Sequence, residues 1–194
     1  MTPNYQPIFI AGCPRSGTTF LASLLGAAKD VVVTPESQFK TQLVKEDEPL
    51  DVETYKDKVL GNFRFLVWNI KVDRSELDTI DNYHDFIQFL VHRYAEKEGK
   101  AESKFWIDHS PGNILQSRKL APHFPNAKFI YLVRDGRAVA NSMIPLDWGP
   151  NTIYQAAIQW RNNLALHEEM LNSHNIDVMR VKYEVHSYPY TDPL

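Results

Sequence analysis

Between Gly12 and Thr19 the chain reads Gly-Cys-Pro-Arg-Ser-Gly-Thr-Thr, two glycines separated by four residues and followed by two hydroxyl side chains. That spacing builds a turn whose successive backbone N–H groups can converge on an anion, and a helix starting at Thr18 adds its positive N-terminal end. A phosphate or sulfate group fits such a cradle. In a nucleotide triphosphatase loop of this spacing the position of Thr18 carries a lysine, so here the positive charge must come from Arg15, inside the loop. A planar guanidinium grips two oxygens of one anion, whereas the missing lysine argues against γ-phosphate transfer.

A second anion-binding set lies in Phe129 to Ser142, FIYLVRDGRAVANS. An apolar run ends at Val133, Arg134 follows it, and a helix is expected from near Gly136. Ligands of open α/β sheets sit beyond the carboxyl ends of parallel strands, so Arg134 should face the same crevice as the loop at Gly12. Ser142, about two turns into the helix, would share its anion. Arg137 and Asn141, four apart on one helical face, read as structural.

The elements that must position these groups follow from the hydrophobic pattern. Pro7 to Ala11 is a short apolar run that stops at Gly12, as a central strand buried on both faces should. Thr18 to Ala28 switches to a helical period, with Phe20, Leu21, Leu24 and Leu25 on one stripe. Val31 to Val33, ended by Pro35, reads as a second strand and a parallel partner of the first. The polar stretches Glu46 to Asp57 and Asp73 to Asp81 make the middle third peripheral and partly loop. Tyr83 to Glu98 is a core helix, Lys104 to Ile107 a strand, and Asn113 to Leu120 a short helix. Ala127 to Val133, Thr152 to Leu171 and Ile176 to Val181 complete the series as strand, helix and strand. Strands alternating with helices imply one α/β domain over residues 1–194, a three-layer α/β/α sandwich with a central parallel sheet.

Composition narrows the function. With 21 Lys+Arg against 24 Asp+Glu and a net charge of −3, no strong basic field is available for a nucleic-acid backbone. A single cysteine, Cys13, forms neither an internal disulfide nor a cysteine-rich metal site, and reads as a small buried residue, although a helix end could lower its pKa. No apolar run approaches the roughly 18 residues of a membrane span, and Pro7 to Ala11 lacks the basic lead-in of a secretory signal, so a cytoplasmic protein is expected.

The stretch PRSGTT after an apolar strand resembles the 5′-phosphosulfate loop of PAPS-dependent sulfotransferases, in its arginine-containing version; the cytosolic branch usually has lysine where Arg15 stands. The resemblance makes Arg15, Ser16, Gly17, Thr18 and Thr19 ligands of the 5′-phosphate and the transferring sulfuryl group. Arg134 and Ser142 match the family's arginine and serine for the 3′-phosphate, and DGR with Met143 after the serine looks like the tyrosylprotein branch. RVKYE resembles the family's YE signature, so Tyr183 would touch the nucleotide and Glu184 would be structural. Trp160 matches a tryptophan common in the family and otherwise reads as a helix-packing residue.

Sulfuryl transfer needs a base for the acceptor's proton and cations for the departing phosphate, and no metal. Glu36, just past the second strand, matches the glutamate that acts as base in the tyrosylprotein branch. His109, in Asp-His-Ser-Pro, stands two residues before a proline as the catalytic histidine of cytosolic sulfotransferases does, where the tyrosylprotein branch has lysine. The expected division is Glu36 as base, with His109 and Arg15 at the transferring or leaving group. The resemblance runs from Ile8 to about Glu184 and implies transfer from PAPS to a hydroxyl or amine of unread class, leaving adenosine 3′,5′-bisphosphate. The alternatives are a kinase-like phosphotransferase and a non-catalytic nucleotide-binding module. Family domains continue past the YE signature, and VHSYPYTDPL shows no helical period, so the C-terminal part of the domain is expected to be missing. Apolar surface left uncovered in that way would favour a homodimer.

Overall fold

In a computed structural model the structure describes residues 4–45, 49–173 and 176–184. The expected tail from Val185 to Leu194 lies outside the described residues. Five strands, β1 (Gln6–Gly12), β2 (Val31–Val33), β3 (Phe105–Asp108), β4 (Lys128–Val133) and β5 (Val178–Lys182), form one sheet in the order β2-β3-β1-β4-β5. Every pairing is parallel. The chain therefore crosses from one side of β1 to the other between β3 and β4, which opens a crevice at the carboxyl end of β1.

Alternation along the central strand explains the layers, since Phe9 and Ile10 are both fully buried but belong to different cores. Phe9 joins Trp106, Phe124 and Phe129 in the larger core, under α5 (Tyr83–Lys97), α6 (Ser117–Leu120) and α8 (Ile153–Ser173). Ile10 joins Ile107 and Leu132 in the smaller one, under Leu21 and Ala22 of α1 (Thr18–Leu25). Helix α7 (Gly136–Met143) buries Val139 and Met143 beside Cys13 and Trp160.

Three expectations are corrected. The β2 strand pairs with β3, not with β1, because β3 inserts between the two. The apolar stripe of α1 is largely uncovered: Phe20, Leu24 and Leu25 are exposed, while Leu21 and the small Ala22 carry the packing. The middle third is not peripheral. Helices α2 (Phe39–Gln42), α3 (Val52–Leu60) and α4 (Phe63–Leu66), with a 3-10 turn at Arg74–Leu77, bury Phe39, Tyr55, Val59, Phe65, Trp68 and Leu77 in the larger core. Even Lys56 is buried there, its ammonium donating to the carbonyls of Leu77, at 2.8 Å, and of Ile80.

Candidate functional site

The loop from Gly12 to Gly17 is shaped by close approaches that only glycine permits. Gly12 stands opposite Leu132 in the β1–β4 ladder, and a Cβ there would meet the Leu132 carbonyl oxygen at 2.4 Å. Gly17 has φ of 97°, and a Cβ would meet the Tyr183 ring at 2.5 Å. Arg15 takes a positive φ of 72°, an uncommon conformation for a non-glycine residue and one that clusters at functional sites. Helix α1 begins at Gly17 without a side-chain cap, so its first N–H groups are left for another acceptor.

Arginines converge on this loop from two elements. Arg15 Nε donates to Ser142 Oγ of α7 at 3.0 Å, and Arg134 Nη1 donates to the Arg15 carbonyl at 3.1 Å. The Arg134 guanidinium also lies 4.2 Å from the centre of the Tyr183 ring. Arg15, Gly17, Thr18, Thr19, Glu36, Arg134, Ser142 and Tyr183 all line one cleft of about 730 Å³. Ser16 is buried beneath it, and Ser16 Oγ and Arg134 Nε are buried polar atoms with no protein partner among the described residues. Of the buried polar atoms without a partner among the described residues, these two lie beside the cleft, where an anionic ligand would complete their hydrogen bonding. A second cleft of about 700 Å³ lies around Gln6, Lys128 and Asp177, at the amino ends of the strands, and holds none of the expected residues.

Glu36 reaches the cleft wall from the segment after β2. Its Oε2 accepts from Gln38 Nε2 at 2.9 Å and lies 3.9 Å from Arg64 Nη1. His109 is nearly buried and is not part of the cleft lining; its Nδ1 sits 3.5 Å from Thr19 Oγ1. Between the two lies Asp108, completely buried at the end of β3. Burial by itself raises the Asp108 carboxyl, but Lys40 at 2.9 Å, Ser37 and Asn113 outweigh it and hold the group well below the usual carboxylate range.

Several site residues were not visible in the sequence. Phe20, assigned to a core stripe, instead lines the cleft with its ring centre 6.0 Å from that of Tyr183. Arg64, Gln38 and Trp148 add to the wall from segments with no recognisable code. Trp160 donates from Nε1 to the Arg134 carbonyl at 3.2 Å, and its ring lies where a Cβ on Gly136 would stand, 2.8 Å away. Arg137 chelates Asp135, and Glu184 accepts from the Asp135 N–H at 2.7 Å, so both hold the turn after β4. Cys13 is a small buried residue, as its place in the loop implies, and burial pushes its thiol up to about 11, so the helix end does not lower it. Among the described residues no group of three or more His, Cys, Asp or Glu side chains is placed to hold a metal ion, and no helix is long and apolar enough to cross a membrane.

The parallel sheet, its crossover at β1 and the arginine-bearing loop define an anion-cradling α/β domain. The chain belongs to the sulfotransferase family, whose model matches residues 7–185. It is similar to protein-tyrosine sulfotransferase 1 of Rattus norvegicus, 29% identical over 141 residues that make up 73% of this chain and 34% of that protein. The Homo sapiens protein of the same name is 28% identical over 137 residues, 71% of this chain and 33% of its own length. The chain thus spans about a third of the length of these curated relatives. Among solved structures, the sulfotransferase domain from the Synechococcus PCC 7002 olefin synthase shares the fold with a TM-score of 0.56 and 22% identity, covering 94% of this chain and 68% of that one. The sulfotransferase domain from the curacin biosynthetic pathway does so with a TM-score of 0.54 and 19% identity, over 94% and 68% of the two chains.

Proposed function

We propose that this chain transfers a sulfuryl group from PAPS to a hydroxyl or amine acceptor. The observation that carries the reading is the convergence of Arg15, Arg134, Ser142 and Tyr183 with Glu36 on one cleft. Bound PAPS supplies the sulfuryl group and departs as adenosine 3′,5′-bisphosphate. The loop N–H groups with Arg15 hold the 5′ end, Arg134 and Ser142 hold the 3′-phosphate, and the exposed faces of Phe20 and Tyr183 offer a slot for the adenine. The orphaned Ser16 Oγ and Arg134 Nε fit an anionic ligand in that place. Glu36 takes the acceptor's proton, while the arginines stabilise charge developing on the departing phosphate. His109, beside Thr19 and behind the cleft wall, stands next to the loop on the leaving side. The likeness to protein-tyrosine sulfotransferases supports a phenolic hydroxyl on a polypeptide as acceptor.

Calorimetry tests the donor: adenosine 3′,5′-bisphosphate should bind without magnesium and more tightly than ATP. Equal or stronger magnesium-dependent ATP binding would overturn the assignment. Glu36→Gln keeps the shape and removes proton acceptance, so turnover of PAPS should fall about 10²-fold or more with bisphosphate affinity nearly unchanged. An active Glu36→Gln beside a dead His109→Ala would move the base to His109.

A further inference from the structure

One buried carboxylate ties together the backbone on which both candidate bases stand. Asp108 Oδ2 accepts from Ser37 N at 2.9 Å and from the Ser37 hydroxyl in a shorter contact. Its Oδ1 accepts from Lys40 Nζ at 2.9 Å, Asn113 Nδ2 at 2.8 Å and Ser110 N at 3.0 Å. These donors come from two segments, the one after β2 and the one after β3. Ser37 is the residue next to Glu36, and Ser110 is the residue next to His109. Asn113 Nδ2 also reaches the Ile10 carbonyl of β1 at 3.0 Å, two residues before the anion loop begins. Three strand ends are thereby fastened to one another directly under the cleft.

Stability alone does not account for this arrangement. A fully buried Lys–Asp pair loses much of its attraction to desolvation, and an apolar replacement of similar size is often as stable or more so. What the pair supplies that apolar side chains cannot is direction, because each hydrogen bond fixes a donor to within a few tenths of an ångström. Displacement of a reacting group by about 1 Å costs about 10²-fold in rate, so geometry at Glu36 matters more than the energy of the pair.

We infer that Asp108 is a positioning residue: through Ser37 and Ser110 it sets where Glu36 and His109 stand relative to the anion loop, without touching either substrate. The effect on turnover rests on the sulfuryl-transfer reading, whereas the clamp on residues 34–38 is a property of the fold. A purely structural Asp108 would leave the Ser37 hydroxyl dispensable, since the ion pair and the bonds from Ser37 N to Asp108 Oδ2 and to Ser110 Oγ, at 3.1 Å, survive its loss.

The experiment compares the full chain with Ser37→Ala, Ser37→Thr and Asp108→Asn. It measures amide hydrogen exchange over residues 34–38, bisphosphate affinity by calorimetry, and bisphosphate release from PAPS in water alone and with a tyrosine-containing peptide. Ser37→Ala should speed exchange at Ser37 by about tenfold and lower kcat by about tenfold, with KM for PAPS and bisphosphate affinity within about twofold. Ser37→Thr, which keeps the hydroxyl, should restore both. Unchanged exchange in Ser37→Ala, or parallel losses of kcat and bisphosphate affinity, would overturn the inference even where Asp108→Asn fails to fold. A parent chain that neither binds the bisphosphate nor turns over PAPS overturns the sulfuryl-transfer reading instead, and the exchange result still decides the clamp.

Discussion

Gly17→Ala separates two costs that usually arrive together, because Gly99 provides a matched control. Both glycines have positive φ, 97° and 68°, but a Cβ on Gly99 meets nothing within 4 Å while one on Gly17 meets the Tyr183 ring at 2.5 Å. At Gly99 the substitution therefore costs only the left-handed backbone, about 1–2 kcal/mol. In a chain of this size that lowers the melting temperature by about 2–8 °C. Gly17→Ala carries the same strain and a steric demand besides, since the ring must retreat by about 0.9 Å to reach an ordinary 3.4 Å contact. Retreat breaks the ring's approach to Phe20, worth about 0.5–1.5 kcal/mol, and the Arg134 guanidinium over it, worth about 0.5–2 kcal/mol. Together these are about 1–3.5 kcal/mol that the nucleotide must restore when it binds, an expected loss of bisphosphate affinity of roughly five- to several-hundredfold. Thermal melts with bisphosphate titration of both variants decide the matter. If Gly17→Ala binds the bisphosphate as tightly as Gly99→Ala does, Tyr183 is not a wall of the nucleotide site and the reasoning from the glycine fails.

Two further outcomes follow from buried ionisable groups. Burial lowers the fully buried His167 imidazole, and that of the half-buried His123 with it, below the ordinary 6.5, so the unfolded chain takes up more protons than the folded one below that pH. Their contribution to stability is complete above about pH 7 and is lost as pH falls through 6.5, which urea midpoints between pH 7.5 and 5.5 should show as a decline; a flat profile would refute the neutral buried state. Cys13, with its thiol pushed up to about 11 and 1% exposed, should react with an aromatic disulfide reagent at least about 10²-fold more slowly in the native chain than in urea. Equal rates would show that the anion loop opens readily.

What could be read from the sequence divides along a physical line. The strands β1 and β2 were legible because each is a short apolar run closed by Gly12 or Pro35, and a strand buried on both faces, as β1 is, needs little else. Helix α1 was legible as a helix, but its buried face was not. Leu24 and Leu25 look like better core residues than Ala22, yet close approach to the sheet favours the small side chain and leaves the large ones outside. The middle third was misread for the opposite reason. Its charges mask Tyr55 and Val59, four apart, and Phe65 and Trp68, three apart, two helical pairs interrupted by the break at Gly61. Partner choice in the sheet was unreadable locally, since β2 and β3 are separated by more than 70 residues.

The same line runs through the site. An anion cradle is made of backbone, and backbone conformation is dictated by a few neighbouring residues, so Gly12, Arg15 and Gly17 announce it within one short stretch. Arg134 and Ser142 were legible as a second short stretch, but other side chains that complete the cleft were not. Arg64 lies 28 residues beyond Glu36 and faces it only because α4 packs Phe65 into the larger core while the neighbouring arginine turns outward to the cleft. Asp108 reads as one more acidic residue at a strand end, and its importance appears only when Ser37 and Lys40, 71 and 68 positions away, are folded against it. The anion loop is thus encoded locally and constrained by glycine, whereas the rest of the cleft wall is assembled from residues such as Phe20, Arg64 and Trp148 on three separate segments. Substitutions of the exposed Arg64 and Trp148 should therefore leave the sheet and the loop intact. The wall of the cleft can thus change in shape and charge while the anion loop stays the same.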